Sequence, residues 1–416
     1  MSGASETTSN PTSGHGPGFW VVPILTLVTF VAMLNAMALG PFFPVISEDL
    51  NVSVALLGQV PALSMLLAAM LGLVVGPLAD HIGHRRALLA SLGVAVVSSI
   101  GIGFAPGYAL LLVAALIGAG ARAAAQPISM VIAGTMFQGD QQRRAISWVA
   151  AGATGAVIVG VPALTTLAEY SGWRVAFFAL GILTLLLLLI VLRSINPDVT
   201  VVSSRFTFRE IIDAFRPLVG HRPTVSLILS MLVGGIGVWM MATYIGAFYS
   251  DRFGYSIQQI GWVYFVAGVM LLLGSLMVGG RLGALPLRPL IATSRVLTGL
   301  AVAGLFLLPI SGIVGVGLVA VQGVTTGVAT VAVVVLLSRE SPAGRATTMA
   351  LNGSAMSMGV ALGSALGGLL LGVADYWLLG IGAMVMSLFS AGIVLWGAEP
   401  SVSLAAAPEP EVPSQV

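Results

Sequence analysis

The chain has 416 residues, of which 57% are hydrophobic and only 8% are charged, and its mean hydropathy is +1.04. So much apolar surface cannot be buried in a soluble core that keeps a wettable exterior, so we predict an integral membrane protein. The sequence contains neither cysteine nor lysine. This excludes disulfides, thiolate metal sites, Schiff-base chemistry and the phosphate-binding lysine of ATP-driven pumps from this chain.

Residues 1–18 are rich in Ser, Thr, Gly and Pro and carry no arginine, which predicts a disordered tail rather than a signal peptide. Twelve apolar segments of spanning length follow. Polar stretches such as 47–51, 76–86 and 138–144 separate them and are predicted to be loops. The segments begin near residues 19, 53, 87, 108, 145, 173, 224, 256, 288, 312, 346 and 376.

Residues 193–222 break the hydrophobic pattern and predict a linker between a first bundle at 19–192 and a second at 223–398. Apolar residues recur at helical spacing within the linker, which indicates an amphipathic helix on the membrane surface. An internal repeat supports the division, because Gly58 and Gly261, like Gly76 and Gly279, lie 203 positions apart at corresponding helix ends. The stretch 399–416 is predicted to be a second disordered tail.

The arginines predict the orientation, because loops on the cytoplasmic side collect positive charge. We assign 14 of the 17 arginines, Arg295 among them, to loops on one side of the membrane. Arg174 and Arg252 fall on the other side, and Arg122 falls within a span. We therefore predict a multi-pass protein of the inner (cytoplasmic) cell membrane with both termini in the cytoplasm.

Residues 76–86 form a charged stretch between the second and third spans, and its notable members are Gly76, Asp80, Gly83, Arg85 and Arg86. Gly83 suits a tight turn. The Asp80 carboxylate can cap the positive end of a neighbouring helix and pair with a nearby arginine. A solvated acid in a loop is the alternative.

Arg122 is the most informative single residue, because an arginine at the centre of a spanning helix costs about 2.5 to 3.5 kcal/mol to insert. Its side chain must therefore face protein or water. Gln126 lies one turn away on the same face. Two interpretations remain open: Arg122 handles a substrate or proton, or it bonds backbone carbonyls and holds helices together.

No carboxylate or histidine is predicted within the membrane, so the usual side chains of a proton relay are absent from the core. We also find no candidate for acid-base, nucleophilic or metal chemistry, and we predict neither a cofactor nor enzymatic activity. A cavity with sparse polar points suits a neutral lipophilic compound or an organic anion. Its candidate lining residues, each of which could equally be satisfied in helix packing, are Asn35, Gln126, Trp239, Tyr244, Tyr264, Gln322 and Asn352.

Residues 76–86 resemble the signature loop of the major facilitator superfamily, roughly G-x-L-A-D-R-x-G-R-R, with His81 and His84 as departures. The segment around Arg122 and Gln126 resembles a motif of that superfamily's drug:proton antiporter branch. A degenerate form of a second antiporter motif is found in the fifth span at Gly152, Gly155, Gly160 and Pro162. We interpret these glycines, like Gly359, Gly363 and Gly367 of the eleventh span, as helix-packing residues.

The resemblance implies an all-α membrane protein of two pseudo-symmetric six-helix bundles that alternate access around a central site. It further implies efflux of a small organic compound, drug-like or anionic and coupled to protons, with Asp80 as a cytoplasmic latch and the fifth span as a pliable contact between the halves. The alternatives are an uptake carrier or facilitator for a neutral or anionic metabolite and a non-transporting sensor. The expected partners are the substrate and the lipid bilayer, not nucleic acid, and we expect a monomer.

Overall fold

The computed structural model describes residues 20–195, 220–340 and 345–397. Within these ranges the protein is all-helical, and twelve helices are long and apolar enough to cross a membrane. The predicted tails and most of the predicted linker helix lie outside the described residues. We number the spanning helices α1 (Val21–Met37), α2 (Gln59–Ile82), α3 (His84–Gly103), α4 (Tyr108–Met136), α5 (Gly139–Ser171), α6 (Trp173–Ser194), α7 (Arg222–Phe253), α8 (Ile257–Gly279), α9 (Leu287–Leu307), α10 (Gly312–Glu340), α11 (Arg345–Val373) and α12 (Tyr376–Trp396).

The three polar stretches that we predicted to be loops are largely helical. A short helix covers Phe43–Leu50, α5 already begins at Gly139, and only Gly83 separates α2 from α3. Long charged side chains at a helix end can reach water while the backbone stays helical. A cluster of charges therefore marks the membrane border without ending the helix.

Single glycines make two of the sharp reversals between spans. Gly83 has φ 94° and ψ 135°, and its N–H donates to the Ala79 carbonyl at 2.9 Å. Gly172, between α5 and α6, is similar with φ 86° and ψ 156°. A side chain is strained at such φ values, so glycine lets two antiparallel spans follow each other without a loop.

Helices α1–α6 pack into one bundle and α7–α12 into another, which we call the N-terminal and C-terminal halves. Small residues and buried hydroxyls join the helices of the C-terminal half. A Cβ on Gly363 would lie 3.1 Å from the Met240 nitrogen, so α11 and α7 are in close contact, as the glycine pattern predicted. Hydrogen bonds of 2.7 to 2.8 Å link α7 to α12 through Ser230 and Ser390 and α9 to α10 through Thr298 and Thr325.

The two ends of the molecule differ in charge. We call the end that contains residues 80–86, 137–144, 280–287, 340 and 345 the arginine-rich end. The opposite end contains residues 38–58, 104–107, 171–173, 253–257, 308–312 and 374–376.

At the opposite end, each half carries the same ionic connection with the charges exchanged. In the N-terminal half, Asp49 pairs with Arg174 and accepts a hydrogen bond from the Trp173 indole at 3.2 Å. In the C-terminal half, Arg252 pairs with Asp375. Asp49 and Arg252 lie 203 positions apart, so they are equivalent positions of the internal repeat. The repeat therefore conserves the place of the ion pair, while the acidic and basic partners are exchanged.

Arg295 is not in a loop, as the arginine count assumed. It lies inside α9, more than two turns from Leu287, and only 2% of the residue is exposed. The membrane interior of the described chain therefore holds two arginines, Arg122 and Arg295. The number of arginines assigned to loops on the arginine-rich side therefore falls from 14 to 13. Only two are assigned to the other side, so the predicted orientation is unchanged.

Candidate functional site

The strongest candidate for a binding site is a polar cluster in the N-terminal half, which we call the Arg122 cluster: Asn35, Ser98, Ser99, Gly118 and Arg122. Ser99 of α3 donates to the Asn35 side-chain oxygen of α1 at 2.5 Å, and the Asn35 amide donates to the Val31 carbonyl at 3.0 Å. Arg122 of α4 lies beside Gly118. A Cβ on Gly118 would clash with the Ser98 hydroxyl and lie 2.9 Å from Arg122 Nη1. Three helices thus meet at one polar point.

The Arg122 guanidinium has more hydrogen-bond donors than acceptors around it. Its Nη2 donates to the Ala115 carbonyl at 2.6 Å, almost two turns back along α4, whereas its buried Nε has no partner. A guanidinium carries five N–H donors. No carboxylate within the described ranges pairs with it. An unpaired cation in a low-dielectric environment favours an anionic or acceptor-rich ligand.

Gln126 lies one turn beyond Arg122 towards the arginine-rich end of α4. It is half-buried, and it makes no hydrogen bond with the described residues. Together the two side chains offer unused donors and an amide oxygen along one helix face. The hydrogen bond to a backbone carbonyl therefore occupies one N–H group of Arg122. Its remaining N–H groups could donate to a ligand.

The C-terminal half contributes two candidates with free polar groups. Trp239 of α7 is half-buried, and its indole N–H has no partner among the described residues. Asn352 of α11 is 7% exposed, and its side-chain oxygen is buried without a partner. The Trp239 indole N–H can donate to a ligand, and the Asn352 side-chain oxygen can accept from one.

The other three predicted lining residues are already engaged in packing. Tyr244 is fully buried and donates to the Ser364 carbonyl at 2.7 Å, and Tyr264 donates to the Ala242 carbonyl at 2.7 Å. Gln322 is 4% exposed and bonds Thr326 at 3.0 Å. The two tyrosine contacts join α7 to α11 and α8 to α7, so their hydroxyl groups are occupied, whereas the Gln322 bond lies within α10.

Sequence reasoning missed the environment of Arg295. A Cβ on Gly234 of α7 would lie 2.6 Å from the Arg295 Cζ, so the guanidinium rests on the bare backbone of that helix. Its Nη2 contacts the Met231 sulfur at 3.6 Å, and its Nε has no partner. The glycine in α7 was the available signal, because a buried guanidinium needs such a gap.

The charged stretch at 76–86 is arranged around a histidine rather than an arginine. The Asp80 carboxylate lies 3.3 Å from Nε2 of the buried His84, so the predicted pairing of Asp80 with an arginine is not found among the described residues. Arg85 instead donates to the Leu192 carbonyl at the end of α6, at 2.6 Å. Gly76 lies within α2, and Arg86 is exposed on α3.

The motif residues of the fifth span, α5, contact two neighbouring helices, α1 and α8. Gly152 packs on the Thr26 carbonyl of α1, while Gly155 and Gly160 pack on Phe30. A π-helical turn covers Ala156–Gly160, directly before Pro162. The glycines therefore bind α5 to its own half. The contact with the other half lies on the next face, where the Pro162 Cα would be 3.3 Å from a Cβ on Gly261 of α8.

The two halves touch towards the opposite end of the molecule. Among the described residues, hydrogen bonds across the interface join Gln59 to the Ala365 carbonyl at 3.5 Å and Glu169 to the Gln258 N–H at 3.1 Å. One apolar core includes both α1 and the part of α7 around Tyr244. Buried apolar residues of the C-terminal half near the arginine-rich end, such as Leu227, form a separate cluster.

Comparisons with known proteins agree with this architecture. The model of the Major Facilitator Superfamily matches residues 25–320. The uncharacterized MFS-type transporter YceJ of Bacillus subtilis (strain 168) is 24% identical over 82% of this chain and 87% of its own. The uridine/deoxyuridine transporter of Lactococcus lactis is 25% identical over 40% of this chain and 35% of its own. The chloramphenicol resistance protein of Streptomyces lividans is 28% identical over 39% and 42%.

Solved structures are similar in fold. A bacterial homolog of the human lysosomal transporter Spinster, in an inward-facing and unoccupied conformation, superposes with a TM-score of 0.72 at 16% identity, over 92% of this chain and 95% of the other. A D-xylose-proton symporter gives 0.74 at 15% identity, over 89% and 97%. The twelve spans in two bundles, the signature turn at Gly83 and the family match over most of the chain lead to one conclusion: the protein belongs to the Major Facilitator Superfamily and is a multi-pass membrane transporter of a small molecule.

Proposed function

We propose that the protein exports a small organic compound across the inner membrane by alternating access, with the Arg122 cluster as the polar anchor of the substrate. The observation that carries this proposal is the asymmetry of the interface. The halves share a core near the opposite end and have separate apolar clusters near the arginine-rich end. A carrier that is closed at one end and open at the other has this arrangement.

The proposed orientation follows from the charges. With the arginine-rich end in the cytoplasm, the separated side of the molecule faces the cytoplasm. The Arg122 cluster is then reached from inside the cell, which suits a compound collected there and released outside. We also propose that the protein is a monomer and that both termini lie in the cytoplasm.

The substrate class follows from the unpaired donors. Arg122, Gln126 and Trp239 carry polar groups that have no partner among the described residues, and no described carboxylate pairs with Arg122. We therefore propose a lipophilic anion or a neutral compound rich in acceptor oxygens. Uridine and chloramphenicol, after which two relatives are named, are neutral test compounds of the second kind.

Flux measurements in proteoliposomes test the proposal. Purified protein is reconstituted, a pH gradient is imposed, and uptake of labelled organic anions, lipophilic drugs, uridine and chloramphenicol is followed. Flux that depends on the gradient supports proton-coupled export. Flux of the same size without a gradient favours a facilitator, and no flux of any compound contradicts transport.

Arginine substitutions test the role of the cluster. We expect Arg122→Ala to reduce flux at least tenfold, because one charge-assisted hydrogen bond is worth about 1.5 to 3 kcal/mol. Arg143→Ala is the matched control, since Arg143 is an exposed surface arginine paired with Asp140. If both variants carry the same flux as the unmodified protein, the cluster does not bind the substrate.

A further inference from the structure

Glu169 is, among the described residues, the one carboxylate that bonds across the interface between the halves. The described residues contain eight carboxylates: Glu48, Asp49, Asp80, Asp140, Glu169, Asp251, Glu340 and Asp375. Six of them pair or bond within their own half. Glu48 makes no bond with the described residues, and Glu169 accepts the Gln258 N–H of the other half at 3.1 Å.

The place where Glu169 bonds is favourable for a negative charge. Gln258 is the second residue of α8, whose first turn carries a complete capping box formed by Ser256 and Gln259. The N-terminus of a helix carries partial positive charge and free N–H groups. The Ser256 cap satisfies one of these donors, and Glu169, from the last turn of α5, satisfies another.

We infer that Glu169 is a positioning residue of the transport cycle: its carboxylate holds α5 to the N-terminus of α8, and protonation from the opposite-end solution releases this latch. The inference rests on the proposed alternating access. Because Glu169 bonds only while the opposite end is closed, the bond stabilises that state alone. A neutral carboxyl group loses the charge that interacts with the helix end.

The neighbouring charged groups do not replace this interaction. On the α1–α2 connection and α6, Asp49 and Arg174 pair with each other, and on α7 and the α11–α12 connection Arg252 pairs with Asp375. Asp251 accepts the Tyr376 hydroxyl, and Tyr170 and Tyr255 are the further titratable side chains beside the contact. No described arginine or histidine pairs with Glu169. Protonation therefore leaves no second ion pair across this contact.

Distance measurements between spin labels test the latch without any substrate. The cysteine-free chain accepts labels at Phe104→Cys and Ile313→Cys, which are exposed positions of the two halves at the opposite end. In lipid nanodiscs we expect the distance distribution to shift towards longer values between about pH 8 and about pH 4. The expected change in the ratio of closed to open molecules is about two- to five-fold.

Glu169→Gln is the decisive variant, and Glu48→Gln is its matched control. At the higher pH, Glu169→Gln should show the distribution that the unmodified protein has at the lower pH, and it should no longer respond to pH. Glu48→Gln should respond as the unmodified protein does. A Glu169→Gln protein that keeps the full pH response, or an unmodified protein with no response, overturns the inference.

The outcome is separable from that of the proposed function. The distance measurement reports the gate, whereas the Arg122→Ala flux reports the substrate site. If the protein transports a compound and this flux depends on Arg122, but the spin-label distances are the same with and without Glu169→Gln, only the latch is refuted. If the latch responds and no compound moves, only the transport proposal fails.

Discussion

Two arginines lie within the spanning helices of the described chain, and their surroundings differ. Arg122 is half-buried beside Ser98, bonds one carbonyl and has donors to spare. Arg295 is 2% exposed and rests on the backbone of α7 at Gly234. Both lack a carboxylate partner among the described residues, so each depends on shape and local dipoles. The difference in exposure separates a candidate ligand site from a structural cation.

The packing of Arg295 gives a stability prediction for Gly234→Ala. The added Cβ would lie 2.6 Å from Cζ and 2.7 Å from Nη1 of the buried Arg295 guanidinium. We expect a loss of about 1 to 3 kcal/mol, the usual cost of overpacking a core. The melting temperature in detergent, followed by tryptophan fluorescence, measures this.

Gly392→Ala is the matched control, because a Cβ on this α12 glycine would meet nothing within 4 Å. It should melt within a degree or two of the unmodified protein or slightly above it, since alanine is the better helix former. Equal melting temperatures for Gly234→Ala and Gly392→Ala would show that Arg295 moves aside freely.

The sequence identified Arg122 and overlooked Arg295 for a physical reason. Arg122 interrupts a long apolar run at its centre, so no loop could be drawn around it. Arg295 is flanked by Ser294 and follows Arg288, and this local polarity is typical of a loop. Only the three-dimensional contact with Gly234 shows that the membrane interior accommodates it.

At the scale of the helix, α5 shows how one element serves two contacts. Its glycines face α1, and the face that includes Ile158 and Pro162 meets α8, with Ile158 Cγ1 2.9 Å from a Cβ position on Gly268. The π-helical turn lies between them, and the Val161 N–H bonds the Ala156 carbonyl. Glycine spacing predicted the close packing. The π turn changes the helical phase, so the sequence could not assign each residue to its neighbour.

Pro162→Ala tests whether this turn is needed for transport. Proline in a helix costs about 3 kcal/mol, and alanine restores an N–H that can bond the Ile158 carbonyl. We expect a higher melting temperature and a several-fold lower turnover in proteoliposomes, because a regular α5 shifts Thr165 and Glu169 away from α8. Val159→Ala, an exposed position of the same turn, should change neither value. Unchanged turnover in Pro162→Ala would contradict a role for the π turn.

For the whole molecule, twelve spans and the repeat were predictable because hydropathy and length determine them. The conformational state was not predictable. In the proposed cycle both open states use the same helices and differ in contacts across the interface, such as that of Gln59 with the Ala365 carbonyl. The candidate lining residues remain predictions, although Asn35, Arg122 and Gln126 lie on neighbouring helices. Tyr244 and Tyr264 bond carbonyls of other helices, and sequence alone cannot distinguish such a packing role from a ligand contact.

The interface at the opposite end offers a direct test of alternating access. A Cβ on Gly372 of α11 would lie 3.8 Å from the Ala55 Cβ at the start of the second span, which is the mean Cβ separation of a disulfide. Ala55→Cys with Gly372→Cys should therefore form a bond between the halves on oxidation. The native chain has no cysteine, so no other disulfide competes.

Oxidation of the double-cysteine protein should stop flux, and reduction should restore it, because the opposite end must open in every cycle. The single-cysteine variants are the controls, and oxidation should leave their flux unchanged. A thiol-shift assay on the same samples reports the cross-linked fraction. If fully cross-linked protein still transports, then the two halves do not separate at this end. The asymmetry of the interface would then be a fixed feature of the fold rather than one state of a cycle.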